Sequence, residues 1–577
     1  MNNRLFMPLE FGRSVDSGEP VRIDPDELMT HLHLIGATGA GKTTAIHNIL
    51  RQLMLMTGDQ KGAIFVLDPM GNLSYDLLRL ITDPKLVTDS VRERVVYIEP
   101  SREDVVMTFN PLHHTTEGHQ YYQTMRAVDL VLRAWEAQDV ASQPRLLNWT
   151  FKTFCAAAQL GLPISVCRHL VHPGTVYHEA IMRRIPPELA SEWNEILRSK
   201  GEAVKILEST RNRLDPFFRS PSLRYMFGSN QSRFDCKQLI RDRRIVIINL
   251  ASNQQVPNFI CDTIGALVLN EIFESATTLT TKEGRSVVSP TYILLDEFQR
   301  YVSVDIENAL PTVRQMGLRL ILAHQSFAQL DRGDLNLEQM IWQARSRLVY
   351  ASYAKDADLL SDEMAKITFD KMRIKHVQKT VRQLINGYRK EWLNSYSSSS
   401  SSTSSSSEIQ GRSDGSSVSR YSDNDTVGYG ENTGRNSTQG STLGGSSSNG
   451  SGSSEAMVPI HKTFEEVTGI TYETFLEQSL EWGKAIRTLG RGEAFLQLPG
   501  QTRISKIKIP FLPPESERRI DDRIHEFKEN NFASDFFVSA EAAKIEHEQI
   551  LESLLTDSPI VIDSQVVKPS QQSPFEL

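Results

Sequence analysis

Eight residues at positions 36–43, with the sequence GATGAGKT, constrain the fold of this 577-residue chain more than any other segment. An apolar run at 31–35 precedes them and predicts a strand, and an amphipathic run at 43–56 follows and predicts a helix. The three glycines let successive backbone N–H groups turn inward around phosphate groups, and the start of the helix adds its dipole. The segment therefore predicts a phosphate-binding loop between a strand and a helix.

The loop motif assigns a role to individual residues. Lys42 is expected to reach the β- and γ-phosphates of a nucleotide, and the Thr43 hydroxyl is expected to coordinate Mg²⁺. No [NT]KxD motif, which reads guanine, occurs in the chain, so ATP is the expected nucleotide. The residues predicted to contact it are Gly36, Ala37, Thr38, Gly39, Ala40, Gly41, Lys42, Thr43 and Thr44.

An apolar segment at 292–295 ends in two acids, Asp296 and Glu297. Such a pair often just faces solvent, but together with the phosphate loop it predicts a hydrolytic site. Asp296 is expected to hold Mg²⁺, and Glu297 is expected to polarise the attacking water. A second apolar segment ends at Gln325, which we interpret as a sensor of the γ-phosphate. The alternative is a glutamine that satisfies the loop backbone.

The remaining segments alternate between strand and helix patterns, which is typical of a mostly parallel sheet covered on both faces. Residues 113–223 differ, because apolar residues recur there at helical spacing and strand signals are sparse. The predicted fold class is therefore α/β, with an all-helical domain inserted into the core. Strands are expected at 31–35, 62–67, 95–98, 244–250, 291–297, 318–325, 347–353, 492–500 and 503–511, and C-terminal helices at 471–488, 514–530 and 539–555.

Serine, glycine, asparagine and threonine dominate residues 395–454. Such a composition cannot bury enough apolar surface to offset its ordering entropy, so we predict a long disordered insertion. A basic run without acids at 371–382, extended by Arg389 and Lys390, leads into it and is predicted as a helical extension of the core. Its cations either contact DNA or a partner, or form a solvated face.

These patterns give a predicted division of the chain. The segments are the first half of the core (1–112), the inserted helical domain (113–223), the second half of the core with its basic helical extension (224–394), the disordered linker (395–456), returning core elements (457–513), and a helical extension with a tail (514–577).

Charge and composition exclude several classes of protein. The net charge of −8 gives no overall attraction to nucleic acid, so contact with DNA would need a local basic surface. The four cysteines form no CxxC pair, which argues against a disulfide frame or a zinc site. Clustered histidines could bind a metal, but the alternating first pair favours packing. They are His31 and His33, and His113, His114 and His119.

Nothing in the sequence predicts a membrane span. No stretch approaches the roughly 18 consecutive apolar residues of a spanning helix, and the first residues lack the apolar core of a signal peptide. We therefore expect a cytoplasmic protein, unless a partner recruits it to a membrane.

Several motifs together resemble the HerA/FtsK superfamily, and within it the TraG/TraD-type coupling ATPases of conjugation and type IV secretion. The resemblance covers about residues 25–360 and returns near residue 492, roughly two-thirds of the chain. The segments that carry it are HLHLIGATGAGKTT, FVLDPMGNLSYDLL, VVYIEP, STRNRLDPFFRSPSLRYMFG, RDRRIVIINL, ILLDEFQRYV, LRLILAHQSFAQL and GEAFLQLPG.

The resemblance implies a RecA-like core, a homo-hexameric ring with ATP sites between subunits, and DNA passing through its centre. It also implies an arginine supplied in trans to the γ-phosphate. Candidates are Arg345 and Arg347, and the alternative is two surface arginines. The chain departs from the family in lacking the usual transmembrane helices of coupling proteins, in having Met70 after Asp68-Pro69, and in leaving no room for the N-terminal β-barrel of HerA proteins.

The expected function is ATP-driven translocation of DNA, of unknown strand form, in conjugation, mobile-element transfer or anti-phage defence. One alternative is an ATPase that delivers protein substrates to a secretion channel. Another is an ATP-gated assembly scaffold that recruits a separate effector. The serine-rich linker or the C-terminal tail could also bind a protein partner.

Overall fold

The computed structural model describes residues 8–112, 117–133, 144–198, 200–253, 256–280, 290–301, 315–332, 335–400, 447–511 and 517–556. The chain divides into two compact units. The core unit comprises the residues up to 370 and from 474 onward, and the second unit comprises residues 371–473.

A single sheet organises the core unit, and eleven of the described strands belong to it. In chain order they are β1 (Leu9–Ser14), β2 (Pro20–Ile23), β3 (Leu32–Ile35), β4 (Ala63–Asp68), β5 (Val95–Ile98), β7 (Ile245–Asn249), β8 (Thr291–Leu295), β9 (Leu318–His324), β12 (Ser346–Val349), β15 (Glu493–Gln497) and β16 (Ser505–Lys508). Their spatial order is β2-β1-β16-β15-β12-β3-β9-β8-β4-β7-β5. Shorter strands are β6 (Val105–Val106), β10 (Asp331–Arg332), β11 (Leu335–Asn336) and β17 (Val538–Ser539).

Seven neighbouring strands, from β12 to β5, run parallel, which confirms the predicted sheet. All six residues of β4 are buried, as expected for a strand covered on both faces. The other four strands are antiparallel and extend one edge. The β1–β2 hairpin was not predicted. Strand β1 joins the sheet by pairing with β16, whose residues lie almost at the other end of the chain.

Helices cover this sheet and fill the long connection between β6 and β7. The helices are α1 (Lys42–Met54), α2 (Asn72–Thr82), α3 (Asp89–Arg92), α4 (Glu117–Arg133), α5 (Pro144–Gln159), α6 (Cys167–Leu170), α7 (Val176–Arg184), α8 (Pro187–Arg198), α9 (Lys200–Arg219), α10 (Pro221–Met226), α11 (Cys236–Arg241), α12 (Asn258–Thr278), α13 (Leu337–Trp342), α14 (Ala354–Thr368), α15 (Phe475–Arg487), α16 (Glu517–Phe532) and α17 (Ala540–Leu555).

The described residues between β6 and β7 contain helices and no strand, in agreement with the predicted all-helical insertion. Trp149 of α5 and Trp193 of α8 pack edge to face there, with ring centroids 5.1 Å apart. The helical pattern recognised in the sequence thus reflects a buried aromatic core. The four cysteines are free, and three of them are buried, so they serve as small apolar side chains.

The C-terminal helices close the core unit. Thr474 caps α15 through a reciprocal capping box with Glu477. In α16, the Asn531 side chain accepts from the Tyr97 backbone N–H (2.9 Å) and donates to the Tyr97 carbonyl (2.8 Å). Helix α16 therefore satisfies backbone groups of the outermost parallel strand, β5, which would otherwise be an open edge.

The second unit is a long β-hairpin, and here the sequence prediction was wrong. Residues predicted as a basic helical extension and the start of the disordered linker form strand β13, Ile374–Ser400. It pairs with β14, Ser447–Tyr472, whose residues were predicted as the end of the linker, as returning core elements and, from 471, as the start of a helix. Val377, Val381 and Ile385 lie four residues apart, a spacing that is also typical of one face of a helix. The pairing that stabilises β13 comes from residues between 47 and 98 positions later, and no local pattern contains it.

Three further expectations lie outside the described residues. They concern the central part of the serine-rich linker (401–446), the C-terminal tail (557–577), and the side chains of His113, His114 and His119.

Candidate nucleotide site

The phosphate loop leaves β3 and closes at the start of α1, as predicted. Its backbone is braced by two distant segments: Ala37 N–H donates to the Ala351 carbonyl, and Gly492 N–H donates to the Ala40 carbonyl, each at 2.8 Å. Gly41 has a φ of 114°, and a Cβ there would lie 2.8 Å from the Gly492 Cα. Both the left-handed backbone and the close approach therefore require glycine at position 41.

Lys42 lies at the first position of α1 and points back into the loop. Its Nζ donates to the Gly36 carbonyl and, at 3.3 Å, to the Ala37 carbonyl. Burial lowers the Lys42 pKa, while the nearby Glu297 and Asp296 carboxylates oppose that shift. The ammonium group is thus held over the loop by uncharged carbonyl acceptors, which negatively charged phosphate oxygens could replace.

Three acids meet at the carboxyl ends of β4 and β8, because these strands are parallel neighbours. Burial first, and then the Glu297 and Asp68 charges, raise the pKa of Asp296 to about 6. Asp68 is fully buried, and its carboxylate accepts from the backbone N–H groups of Met70 (3.0 Å) and Ser74 (2.7 Å). Asp68 was not among the residues predicted from the sequence to belong to the site. An acid at the end of a neighbouring parallel strand was the signal for its place in the site.

A chain of side-chain hydrogen bonds connects the loop to the acids. Thr38 Oγ1 donates to Gln325 Oε1 at 2.7 Å, and Gln325 Nε2 donates to Glu297 Oε1 at 2.6 Å. The other Glu297 oxygen accepts from Gln299 Nε2 at 2.7 Å. This geometry follows from the strand order, since β9 lies between β3 and β8 and delivers Gln325 between the other two groups.

The backbone of the loop after β9 is satisfied by a different glutamine. Gln329 Oε1 accepts from the backbone N–H groups of Gln325 and Ser326, each at 3.2 Å. The alternative reading of Gln325, as a residue that satisfies loop backbone, therefore describes Gln329. The Gln325 side chain is left for the loop and Glu297, an arrangement suited to a γ-phosphate sensor.

Buried polar side chains behind the loop form a second chain. Arg347 Nε donates to His33 Nδ1 at 3.0 Å, the Nε2 atoms of His33 and His324 are 2.8 Å apart, and His324 Nδ1 is 3.2 Å from the Ser326 carbonyl. His33 is thus a buried packing residue, as expected. In the described part of the chain, no group of three or more potential ligands from His, Cys, Asp and Glu could hold a metal ion.

The two candidate arginines differ in position. Arg347 is only 4% exposed, and its guanidinium contacts His33, the Gln497 side chain (3.2 Å) and the Trp342 ring. This burial favours a packing role inside its own subunit over the predicted role in trans. Arg345 is exposed just before β12, at the opposite edge of the sheet from the phosphate loop. It remains the candidate.

The donor set fits a magnesium-bound nucleotide. The Thr43 hydroxyl follows the loop at the start of α1, and the Asp296 carboxylate lies in a buried cluster of acids whose mutual repulsion a cation would relieve. Both are oxygen ligands, the type that Mg²⁺ prefers. Thr44, the last residue predicted to contact the nucleotide, follows Thr43 on α1 and lies one residue further from the loop.

Comparison with known families agrees with this geometry. The family model described as "Helicase HerA, central domain" matches residues 9–272, and the model "Type IV secretory system Conjugative DNA transfer" matches residues 207–405. Together these matches span residues 9–405, and over this range the chain is similar to HerA/FtsK-type P-loop proteins of the coupling-protein kind. The second match reaches into β13, so the hairpin begins inside the segment that the family model covers.

Individual proteins give the same relationship at greater distance. The "DNA translocase FtsK" of Halalkalibacterium halodurans is 28% identical over 151 residues, which are 25% of this chain and 17% of that protein. The alignment therefore spans less than a fifth of the curated relative.

Solved structures of a "Bacterial conjugative coupling protein TrwBdeltaN70" and of TrwB "in complex with ADP and Mg2+" share the fold, with TM-scores of 0.51 and 0.50 at 14% and 13% identity. Each match covers 90% of this chain and 93% of the other.

Within the described residues, no helix is long and apolar enough to cross a membrane.

Proposed function

We propose that this ATPase hydrolyses ATP at the Gly36–Thr43 loop and uses the reaction to move DNA through a ring of its own copies. The observation that carries the proposal is the hydrogen-bonded path from Thr38 of the loop through Gln325 to Glu297. A polar side chain and an acid that are linked to the phosphate loop support a site for hydrolysis of the terminal phosphate.

Each group of residues in the nucleotide site has a separate role in the proposed reaction. The loop N–H groups hold the phosphates, and Lys42 exchanges its contacts with the loop carbonyls for phosphate oxygens. Thr43 and Asp296 hold Mg²⁺, which neutralises charge on the phosphates when bound. Glu297 orients the attacking water, and Gln325, which contacts both the loop and Glu297, reports whether the terminal phosphate is present.

Glu297 is set for this role by its surroundings. It is 7% exposed and adopts a left-handed backbone conformation with a φ of 48°. A non-glycine residue in that conformation is strained, and such strain persists where the surrounding structure fixes a functional side chain. Two amide groups hold the carboxylate, so the attacking water would replace one of them when nucleotide binds.

The family matches support the proposals that the chain forms a ring and that its cargo is DNA. Both matching family models describe proteins that act on DNA, and the FtsK relative is named a DNA translocase. We infer a homo-hexamer in which Arg345 of one copy stabilises the phosphate charge at its neighbour's site. Conjugation or another transfer of mobile DNA is the favoured setting, with anti-phage defence as the other.

Steady-state ATP hydrolysis tests the proposal directly. It is measured without nucleic acid, with duplex DNA and with single-stranded DNA, for the full chain, Lys42→Ala and Glu297→Gln. Glu19→Gln, at an exposed position between β1 and β2, is the matched control. Stimulation by DNA that is lost in both site variants supports the motor. Hydrolysis indifferent to DNA would favour protein cargo, and negligible hydrolysis in all conditions would favour a gated scaffold.

A further inference from the structure

Among the described residues, the hairpin formed by β13 and β14 has no third strand, so both strands are edges. Strand β13 has 27 residues and β14 has 26, and together they form a two-stranded sheet. At about 3.3 Å per residue each strand is on the order of 90 Å long. A single two-stranded hairpin is marginally stable in water, and its open edges pair readily with further strands. Neighbouring strands would therefore stabilise a hairpin of this length by pairing with its open edges.

Large apolar side chains are exposed on both faces of the hairpin. Cross-strand partners share a face, so Val381 opposite Glu465 lies on one face and Phe464 opposite Arg382 lies on the other. The exposed fraction is 62% for Val381 and 67% for Trp392. Other apolar residues with large exposed surfaces are Leu384, Ile385, Tyr388, Met457, Ile460 and Val467. Adding strands at the edges would place neighbouring side chains against these surfaces.

Charge is segregated between the two strands. Strand β13 carries five lysines and arginines and one acid, whereas β14 carries three glutamates and one lysine. Within one hairpin the opposite charges already meet, as in the Lys379–Glu465 and Arg382–Glu466 pairs, each at 2.8 Å. The same complementarity is available to a second hairpin at each outer edge.

We propose that hairpins of neighbouring copies pair edge to edge, β14 of one copy against β13 of the next, and close into an up-and-down β-barrel. The proposal rests on the ring of the proposed function. Hairpins that all point the same way in a ring automatically bring β14 antiparallel to the next β13. Head-to-tail pairing places acidic strands beside basic ones, whereas a two-fold dimer would set β13 against β13 and repel. Three register irregularities in the hairpin are the kind of bulge that gives a closed sheet its curvature.

The charge pairs weaken the reading of the basic run as a DNA contact. Cations of β13 have acidic partners in the pairs Lys379–Glu465, Arg382–Glu466, Arg389–Glu391 and Lys390–Glu455. A surface that binds phosphates needs cations that are not neutralised by the same sheet. Edge pairing needs no unpaired cation, because each basic strand then lies between two acidic strands.

A charge-swapped hairpin tests the pairing while keeping the charge pairs inside each hairpin. The swapped chain combines Lys379→Glu with Glu465→Lys, Arg382→Glu with Glu466→Arg, and Lys390→Glu with Glu455→Lys. Swapped copies still complement one another, but a swapped β14 beside an original β13 places cations against cations. The two chains, with different tags, are co-expressed and their assemblies separated. We expect sorting, with mixed assemblies at least ten-fold rarer than random mixing gives, and free mixing would overturn the proposal.

Hydrogen exchange and excision provide independent readouts. Peptides within 374–400 and 447–472 should exchange at least ten-fold more slowly in the assembled full chain than in dilute monomer. Glu473 N–H donates to the Arg373 carbonyl at 2.9 Å, so a short Gly-Ser turn can replace residues 374–472 without separating the flanking ends. The excised chain should assemble more weakly, by at least ten-fold in concentration, and should still bind nucleotide.

These outcomes separate the barrel from the ring. If the full chain forms a DNA-stimulated ring and the excised chain forms it equally well, with hairpin amides unchanged on assembly, the barrel is wrong and the motor stands. If hairpin amides are already protected in the monomer, residues 401–446 of the same chain cover the edges, and the barrel is again wrong. If the chain stays monomeric with nucleotide and DNA, the ring of the proposed function is wrong, and so is the barrel that depends on it.

Discussion

The Nε2 atoms of His33 and His324 are 2.8 Å apart in the protein interior, and the two rings are parallel to within 9°. Because Arg347 can only donate, His33 Nδ1 must accept, and His33 Nε2 must therefore carry the proton shared with His324. His324 then donates from Nδ1 to the Ser326 carbonyl. The protons are thus ordered from the guanidinium to the residue that follows Gln325.

We predict that this chain of donors positions Gln325. His324→Ala should lower kcat for ATP hydrolysis about ten-fold, or roughly 1.4 kcal/mol, with little change in nucleotide affinity. His324→Asn keeps a donor near the Ser326 carbonyl and should recover part of the rate. Steady-state kinetics with a nucleotide titration checks both, and equal losses in kcat and affinity for the two variants would contradict a positioning role.

The same histidine should make stability depend on pH. Burial lowers the His324 pKa to about 4, so its contribution to stability is complete above the unfolded value of 6.5 and is lost as pH falls towards 4. The contribution amounts to about 3 kcal/mol. Denaturant unfolding of the full chain and of His324→Gln across this range should show a shallower loss for the variant.

Glu271 of α12 should change the stability of the protein with pH in the opposite direction to His324. Burial, above all, raises its pKa from 4.5 to about 7, so the folded state favours the protonated form. Stability from this group is present below pH 4.5 and is lost as pH rises through 7, by up to about 3 kcal/mol. Glu271→Gln should raise the free energy of unfolding at pH 8 and leave it nearly unchanged at pH 4.5. An equal effect at both values would refute the assignment.

The contact between Gly41 and Gly492 should be needed for nucleotide binding. Gly41→Ala places a Cβ 2.8 Å from the Gly492 Cα on a left-handed backbone, which should distort the loop and weaken nucleotide binding at least ten-fold. Gly18→Ala is the matched control, because its φ is 73° but nothing lies within 4 Å of the added Cβ. Fluorescent-nucleotide binding compares the two, and the control should lose only about 1 kcal/mol of stability.

The side chain of Gln325 should affect hydrolysis and not folding. Gln325→Ala removes the contacts to Thr38 and Glu297 together, and we expect kcat to fall ten- to a hundred-fold with nucleotide still bound. Gln329→Ala removes the acceptor for two backbone N–H groups and should instead lower the melting temperature. The reverse pattern would exchange the roles of the two glutamines.

Local patterns were sufficient where chemistry depends on neighbours in the sequence. The Gly36–Thr43 loop, the strand that ends at Asp296 and the parallel core could be predicted, because a buried strand and a tight glycine turn have signatures within a few residues. The helical insertion was visible for the same reason.

Only the tertiary structure decided which distant residues meet. The place of Asp68 beside Asp296, the brace from Gly492 and the burial of Arg347 depend on strand order, which no local pattern contains. The hairpin makes the point most clearly. Its spacing of apolar residues fits a helix, and pairing with a strand 47 to 98 residues away overrides that preference. Propensity acts through neighbours in the sequence, whereas sheet pairing is fixed by contacts that exist only once the chain has folded.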